Sequence, residues 1–179
     1  MLKGPLCTVR HLLNTDLNTF IALVNDLPSR GDYFSTHFKS PEAMRKEFVQ
    51  HGFVTEDSEL FVVEDGYRRV VGVITHFKSR TPTTREIGYR LFDTALAGQG
   101  YTTEALRMLV DHLFRVHTWH RLEVLVAPRN LPSLRVAQKC GFTGEGTLRE
   151  AFFINGQYQD VQVLGLLRHE WERLGGLPR

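Results

Sequence analysis

The chain predicts an α+β fold built on a mostly antiparallel sheet, on the strength of three observations. Two turn dipeptides, Asp65-Gly66 and Asn155-Gly156, each lie between strand-like apolar runs, the pattern of β-hairpins. After Gly100, apolar residues recur at helical spacing, with Ala105, Leu109, Leu113 and Val116 on one face. No repeat, low-complexity tract or linker divides the 179 residues, so a single domain over 1–179 with a sizeable core is expected.

In order, Leu6 to Leu12 reads as the first strand. Asp16 is placed to cap a helix running to about Asn25, with Phe20, Leu23, Val24 and Leu27 as its buried stripe. Asp26 to Ser40 is loop-like and holds Pro28, Gly31, Tyr33, Phe34 and Phe38. Ser40-Pro41-Glu42 opens a second helix, a cap residue followed by proline at the first helical position, and it ends near Gly52. Strands at Glu59 to Glu64 and Val70 to Phe77 flank the first hairpin turn, and Arg85 to Phe92 makes the next strand. A helix from Gly100 to about His117 follows, then a short strand, Arg121 to Val126. Leu131 to Cys140 is a short helix stopped by Gly141. The last strands, Phe142 to Phe153 and Tyr158 to Leu166, meet at Asn155-Gly156.

Composition excludes several classes. Hydrophobic residues make up 42% and charged residues 23%, the balance of a soluble folded protein. A net charge of +2, with basic residues scattered, implies no nucleic-acid face. The cysteines, Cys7 and Cys140, form no CxxC pair and no disulfide framework, which favours a reducing setting. Met1 to Pro5 lacks a signal-peptide core, and Val70-Val71-Gly72-Val73-Ile74 is one strand long rather than membrane-spanning. A cytoplasmic protein with no membrane or nucleic-acid partner is expected.

Leu96-Ala97-Gly98-Gln99-Gly100-Tyr101-Thr102-Thr103-Glu104-Ala105 carries the most chemistry. The first N–H groups of a helix have no intrahelical partner and sit at its positive dipole end. Two glycines one residue apart leave that backbone uncovered, so a phosphate can approach it closely.

A second segment runs Asn130-Leu131-Pro132-Ser133-Leu134-Arg135-Val136-Ala137-Gln138-Lys139-Cys140-Gly141-Phe142-Thr143-Gly144-Glu145-Gly146. Taken with the glycine-rich turn, it resembles the GNAT superfamily of acyl-CoA-dependent N-acetyltransferases. More narrowly it is similar to the branch containing the bacterial ribosomal-protein N-terminal (alanine/serine) acetyltransferases. Asn155-Gly156-Gln157-Tyr158-Gln159-Asp160, followed by Leu164-Gly165-Leu166-Leu167-Arg168-His169-Glu170-Trp171, fits that branch too. The resemblance covers nearly the whole chain. It implies a sheet of about seven strands, splayed between the fourth and fifth and flanked by helices. It also implies direct transfer of an acetyl group from acetyl-CoA, as co-substrate and with no metal, to a primary amine; homodimers are common in the family.

The resemblance assigns residues. Gly98, Gln99, Gly100, Tyr101 and Thr102 would offer backbone N–H groups to the coenzyme A pyrophosphate. Leu91 and Phe92 would pair with the pantetheine arm from a bulged strand, the Phe92 N–H remaining free for the oxyanion. Asn130 would contact the pantetheine amides. Ala95 departs from the pattern, because many members carry Arg or Gln there.

Ser133 matches the serine that the N-terminal branch uses as general acid, and Ala137 stands where other members place a tyrosine. The branch's glutamate base falls at Phe152. Glu150, two residues earlier and so on the same face of a regular strand, is the first substitute. Glu86, acting through a water, is the second. Glu104 and Glu145 are explained by helix-start and turn roles.

An α-amine titrates near about 8 and a lysine near about 10.4, so a chain without a strong base favours α-amines. The leading acceptor is therefore a protein or peptide N-terminus. The alternatives are a small amine (polyamine, aminoglycoside or amino-acid derivative) and a non-catalytic acyl-CoA-binding module. Tyr33, Phe34, His37 and Phe38 are placed to border the acceptor pocket. His112, His117 and His120 are not spaced to share a helix face, so no metal is expected.

Overall fold

A computed structural model describes residues 1–35 and 37–176. The strands are β1 (Leu2–Lys3), β2 (Cys7–His11), β3 (Ser58–Asp65), β4 (Val70–Lys78), β5 (Thr84–Leu91), β6 (Arg121–Val126), β7 (Thr143–Ile154) and β8 (Gln157–Leu167). The helices are α1 (Leu17–Asn25), α2 (Pro41–His51), α3 (Tyr101–Val116), α4 (Leu131–Lys139) and α5 (Arg168–Arg173). The strands form one sheet of eight in the order β1-β2-β3-β4-β5-β6-β8-β7. Every pairing is antiparallel except β5 with β6. The two-residue β1 accounts for the strand beyond the expected seven.

The sheet is covered on both faces. Leu106, Leu109, Val110 and Leu113 of α3 are fully buried with Ile87, Leu122 and Leu166. On the other face, Phe20 and Ile21 of α1 and Met44 of α2 pack with Val62 and Phe92. Burial of so many whole aliphatic side chains, at about 1.5–3 kcal/mol each, holds the helices to the sheet.

Local chemistry sets most boundaries. The Ser40 hydroxyl accepts the Ala43 N–H at 3.3 Å, and Gly52 ends α2 in the left-handed region at φ 62°. Asp16 does not cap α1. Its carboxylate accepts the Leu13 N–H and pairs with Arg10 at 2.6 Å, closing a short 3-10 turn over Asn14–Asp16. The expected loop after α1 contains further 3-10 structure over Pro28–Tyr33, broken at Gly31.

Two irregularities bear on the site. The expected bulge in β5 is absent, and its register with β4 runs unbroken from Lys78↔Arg85 to Gly72↔Leu91. The bulge falls instead on β4, where Val71 is extra against the Val63–Glu64 step of β3. Along β7 the register jumps from Leu148↔Val161 to Phe152↔Gln159, so three residues oppose Asp160 alone.

Candidate active site

β5 and β6 pair at only three positions, Thr84↔Arg121, Arg85↔Leu122 and Glu86↔Glu123. Beyond Glu86 and Glu123 the strands part, between the same two segments that the sequence reading set apart. Two cavities meet in the opening. One, of about 570 Å³, runs along Leu91, the glycine-rich turn and α4. The other, of about 410 Å³, lies between the α1–α2 loop and the end of β7. Phe34, Tyr89, Asn130 and Ser133 line both.

The first cavity fits coenzyme A. Gly98 and Gly100 have φ of 79° and 97°, conformations natural only to glycine, and a Cβ on Gly98 would meet nothing within 4 Å. Among the described residues, the N–H groups of Gly98, Gly100, Tyr101, Thr102 and Thr103 have no hydrogen-bond partner, and all five residues line the cavity. Gln99 departs from the expected cradle. Its N–H donates to the Leu96 carbonyl at 3.3 Å, its side chain to the Ala95 carbonyl at 3.0 Å, and Thr103 takes its place. A donor nest at the start of the 16-residue α3 is suited to a pyrophosphate.

The strand-end residues divide. Phe92 does not offer a free N–H, because it donates to the Val71 carbonyl at 2.8 Å. Its ring packs with Phe20 in the second core, outside the donor cavity. Alternation along the β4–β5 ladder then turns the Leu91 N–H the other way, towards the opening. Leu91 does line the donor cavity. Asn130 caps α4, its Oδ1 accepting the Ser133 N–H at 3.2 Å; this uses the carbonyl oxygen and leaves the amide NH₂ for a ligand.

Ser133 stands at the junction of the cavities. Its hydroxyl donates to the Tyr89 phenol at 3.0 Å, and that phenol donates to the Ser133 carbonyl at 3.0 Å. Burial pushes the Tyr89 pKa up to about 12, so the phenol keeps its proton at neutral pH. The sequence reading missed Tyr89, which shares a face of β5 with the buried Ile87 and so looks like core in the sequence.

The carboxylates rearrange the expected order. Glu150 is exposed, has φ 51°, and its N–H donates to Asp160 at 2.9 Å; it lines neither cavity. The same-face argument fails for it because β7 is bulged there, so period-two alternation does not connect residues 150 and 152. Glu86 lies where β5 and β6 part, beside Ile87 and Gly88 of the second cavity. Burial, then the neighbouring Glu123 charge, pushes its pKa up to about 7. The Glu123 side chain accepts from the Arg121 Nε–H at 2.8 Å and from the Ser79 hydroxyl at 3.0 Å.

Tyr33 and Phe34 line the second cavity, as expected; His37 and Phe38 do not. The Tyr33 hydroxyl reaches across to the Arg129 carbonyl at 2.9 Å, joining the α1–α2 loop to the β6 side. Ala151, Phe152, Phe153 and Ile154 form the opposite wall. Cys140 is fully buried and its pKa is pushed up to about 12 by that burial, which makes it an inert packing residue. His117 stacks on Trp119 with ring centroids 3.8 Å apart, and no cluster of three metal-ligating side chains occurs among the described residues. No helix among them is long and apolar enough to cross a membrane.

Comparison with known proteins agrees with this geometry. Residues 7–143 match the model of the acetyltransferase (GNAT) domain. The chain is 35% identical, over 97% of its length and all of the relative, to YjcK of Bacillus subtilis, described as a probable N-acetyltransferase. It is 36% identical to the ribosomal-protein-serine acetyltransferase of Escherichia coli over 52% of each chain. The spermidine N-acetyltransferase of Vibrio cholerae, solved with CoA and spermine, superposes with a TM-score of 0.80 at 25% identity, covering 93% of this chain and 98% of that one. A phosphate nest at α3, a parted β5–β6 pair and a family match over most of the chain lead to one conclusion: this chain belongs to the GNAT family and is an acetyl-CoA-dependent N-acetyltransferase.

Proposed function

We propose that the enzyme acetylates the α-amine of a peptide or protein N-terminus. One observation carries this reading. Among the described residues, no Asp, Glu, Lys or Arg side chain lines the acceptor cavity. A polyamine brings several positive charges, and moving them into an apolar cleft without carboxylates is costly. An N-terminus brings only the reacting amine, and about half of that is already neutral near pH 8.

Acetyl-CoA supplies the acyl group as a thioester. The nest at Gly98, Gly100 and Tyr101–Thr103 holds its pyrophosphate, and the Asn130 amide and Leu91 backbone orient the arm that follows. The Leu91 N–H, aimed into the opening, supports negative charge developing on the carbonyl oxygen. Glu86, with a pKa of about 7 and one residue before the cavity-lining Ile87, takes the amine proton through a water, because its own side chain does not line the cavity. As the new C–N bond forms and the C–S bond breaks, Ser133 gives its hydroxyl proton to the sulfur. Tyr89, which accepts from the Ser133 hydroxyl and donates to the Ser133 carbonyl, holds that hydroxyl in place, and the serine regains its proton through solvent from Glu86, so that the amine proton ends on the thiol.

Thiol release with acetyl-CoA, measured across a panel of peptides, spermidine and other small amines, tests the proposal. Peptide α-amines are expected to turn over best, with the acetyl group placed on the N-terminus by mass spectrometry. Faster turnover of spermidine, or CoA binding with no turnover at all, would overturn it.

A further inference from the structure

The walls of the acceptor cavity point to a narrower choice. We infer that the cavity receives the side chain of the acceptor's first residue and selects a large apolar one, such as leucine, methionine or phenylalanine. This rests on the N-terminal reading above and refines it. Val124 and Val126 of β6, Phe152 and Ile154 of β7, and Phe34 of the α1–α2 loop all line it. The polar side-chain atoms present are neutral hydroxyls and an amide, from Tyr33, Ser35, Tyr89, Asn130 and Ser133. Most of these already serve the hydrogen bonds described, so a polar first residue would lose its water without gaining partners.

The mouth continues the same chemistry. Phe153 and Tyr158 pack together at the β7–β8 turn with centroids 5.0 Å apart, and both are more than half exposed. Large aromatic side chains left in water beside an apolar cavity mark a surface that a partner covers. An extended N-terminal segment entering the cavity would lie against them.

The described residues of the α1–α2 loop wall are tied down at several points, which favours discrimination by shape. Arg90 holds the loop through the Ser29 hydroxyl at 2.6 Å and the Asp26 carbonyl at 3.2 Å. Arg30, itself 7% exposed, binds the Val24 carbonyl at 2.6 Å and the His37 carbonyl at 2.8 Å. The Tyr33 bond to Arg129 pins the far end. A wall with these constraints cannot relax around a small residue, so a void would remain.

The test uses peptides identical after the first position, beginning with Leu, Phe, Met, Ala, Ser or Asp, with kcat/KM read from thiol release. Leu, Phe or Met is expected to exceed Ser and Asp by about tenfold to a hundredfold. Phe152→Ala, on the half-exposed edge strand, is expected to shrink the Leu-to-Ala ratio several-fold while the variant still melts cooperatively. Equal rates for all peptides, or a preference for Ser or Asp, would overturn the selection and leave N-terminal acetylation standing. Turnover of spermidine with no peptide accepted would remove the N-terminal reading itself, and this inference with it.

Discussion

The Ser133 hydroxyl and the Tyr89 phenol lie 3.0 Å apart across the opening between β5 and α4, and each engages the other's residue. Ser133 is thereby aimed by a group whose raised pKa, about 12, keeps it a proton donor. Ser133→Ala is expected to lower kcat by about a hundredfold or more, with KM for acetyl-CoA nearly unchanged. Tyr89→Phe should cost less, about tenfold, because Ser133 remains while the phenol oxygen that aims its hydroxyl is lost. Steady-state kinetics of both variants checks this; an unchanged kcat in Ser133→Ala would remove the acid role.

The proposed base, Glu86, predicts a pH-dependent rate. A base must be ionised to work, so kcat should rise as pH climbs towards about 7 and then level, while kcat/KM also follows the α-amine's own ionisation near about 8. Removing the neighbouring charge with Glu123→Gln should move that limb to lower pH, while burial keeps it above an ordinary glutamate. A pH–rate profile that is flat from 5.5 to 8 would exclude Glu86.

The same carboxyl has an energetic signature of opposite sense. Its folded-state pKa, about 7, lies above the ordinary glutamate value of 4.5, so the folded state holds this proton more tightly than the unfolded one. Stability therefore declines as pH rises from about 4.5 through 7. Glu86→Gln should be nearly inactive yet more resistant to urea at pH 8, by up to about 3 kcal/mol. Denaturation curves at pH 5 and pH 8 measure the difference.

His76 contributes to the acid sensitivity of the fold. It is 3% exposed, neither ring nitrogen has a partner among the described residues, and burial lowers its pKa to about 4. Glu59, at 3.9 Å, partly offsets this, while His117, Arg85 and His112 add to it. Because the unfolded value is 6.5, the His76 contribution is full above pH 6.5 and is lost as pH falls towards 4, by up to about 3 kcal/mol, opposing the Glu86 contribution over the same range. His76→Phe, which keeps the ring against Trp119, should shift acid unfolding to lower pH, as followed by fluorescence.

At the donor nest, Gly98→Ala places a methyl group where no protein atom lies within 4 Å, at φ 79°. The strain costs about 1–2 kcal/mol and the methyl stands over the unpaired N–H groups. KM for acetyl-CoA should rise about tenfold or more, with kcat for bound substrate less affected. Titration calorimetry with CoA gives an independent reading.

Local chemistry made much of the fold legible in the sequence. Asn155 and Gly156 both take positive φ, 52° and 79°, the requirement that marks this dipeptide as a hairpin turn. Ser40-Pro41 and Gly52 bracket α2 for equally local reasons. What escaped depends on distant partners. The β1 strand exists only through its pairing with Val9 and Thr8. Asp16 looked like a cap until Arg10 claimed its carboxylate. Glu150 was misplaced because a bulge leaves no trace in hydrophobic alternation. Tyr89 acquires its task from a residue 44 positions away, so no motif around it announces it.

The parting of β5 from β6 after three paired residues has a thermodynamic consequence of its own. Strand edges that elsewhere in the sheet satisfy one another are here turned towards solvent and await a guest. Closing that seam by extending the ladder would add hydrogen bonds and bury more apolar surface. The mended protein would be the sturdier one, and it would have nowhere to put a thioester.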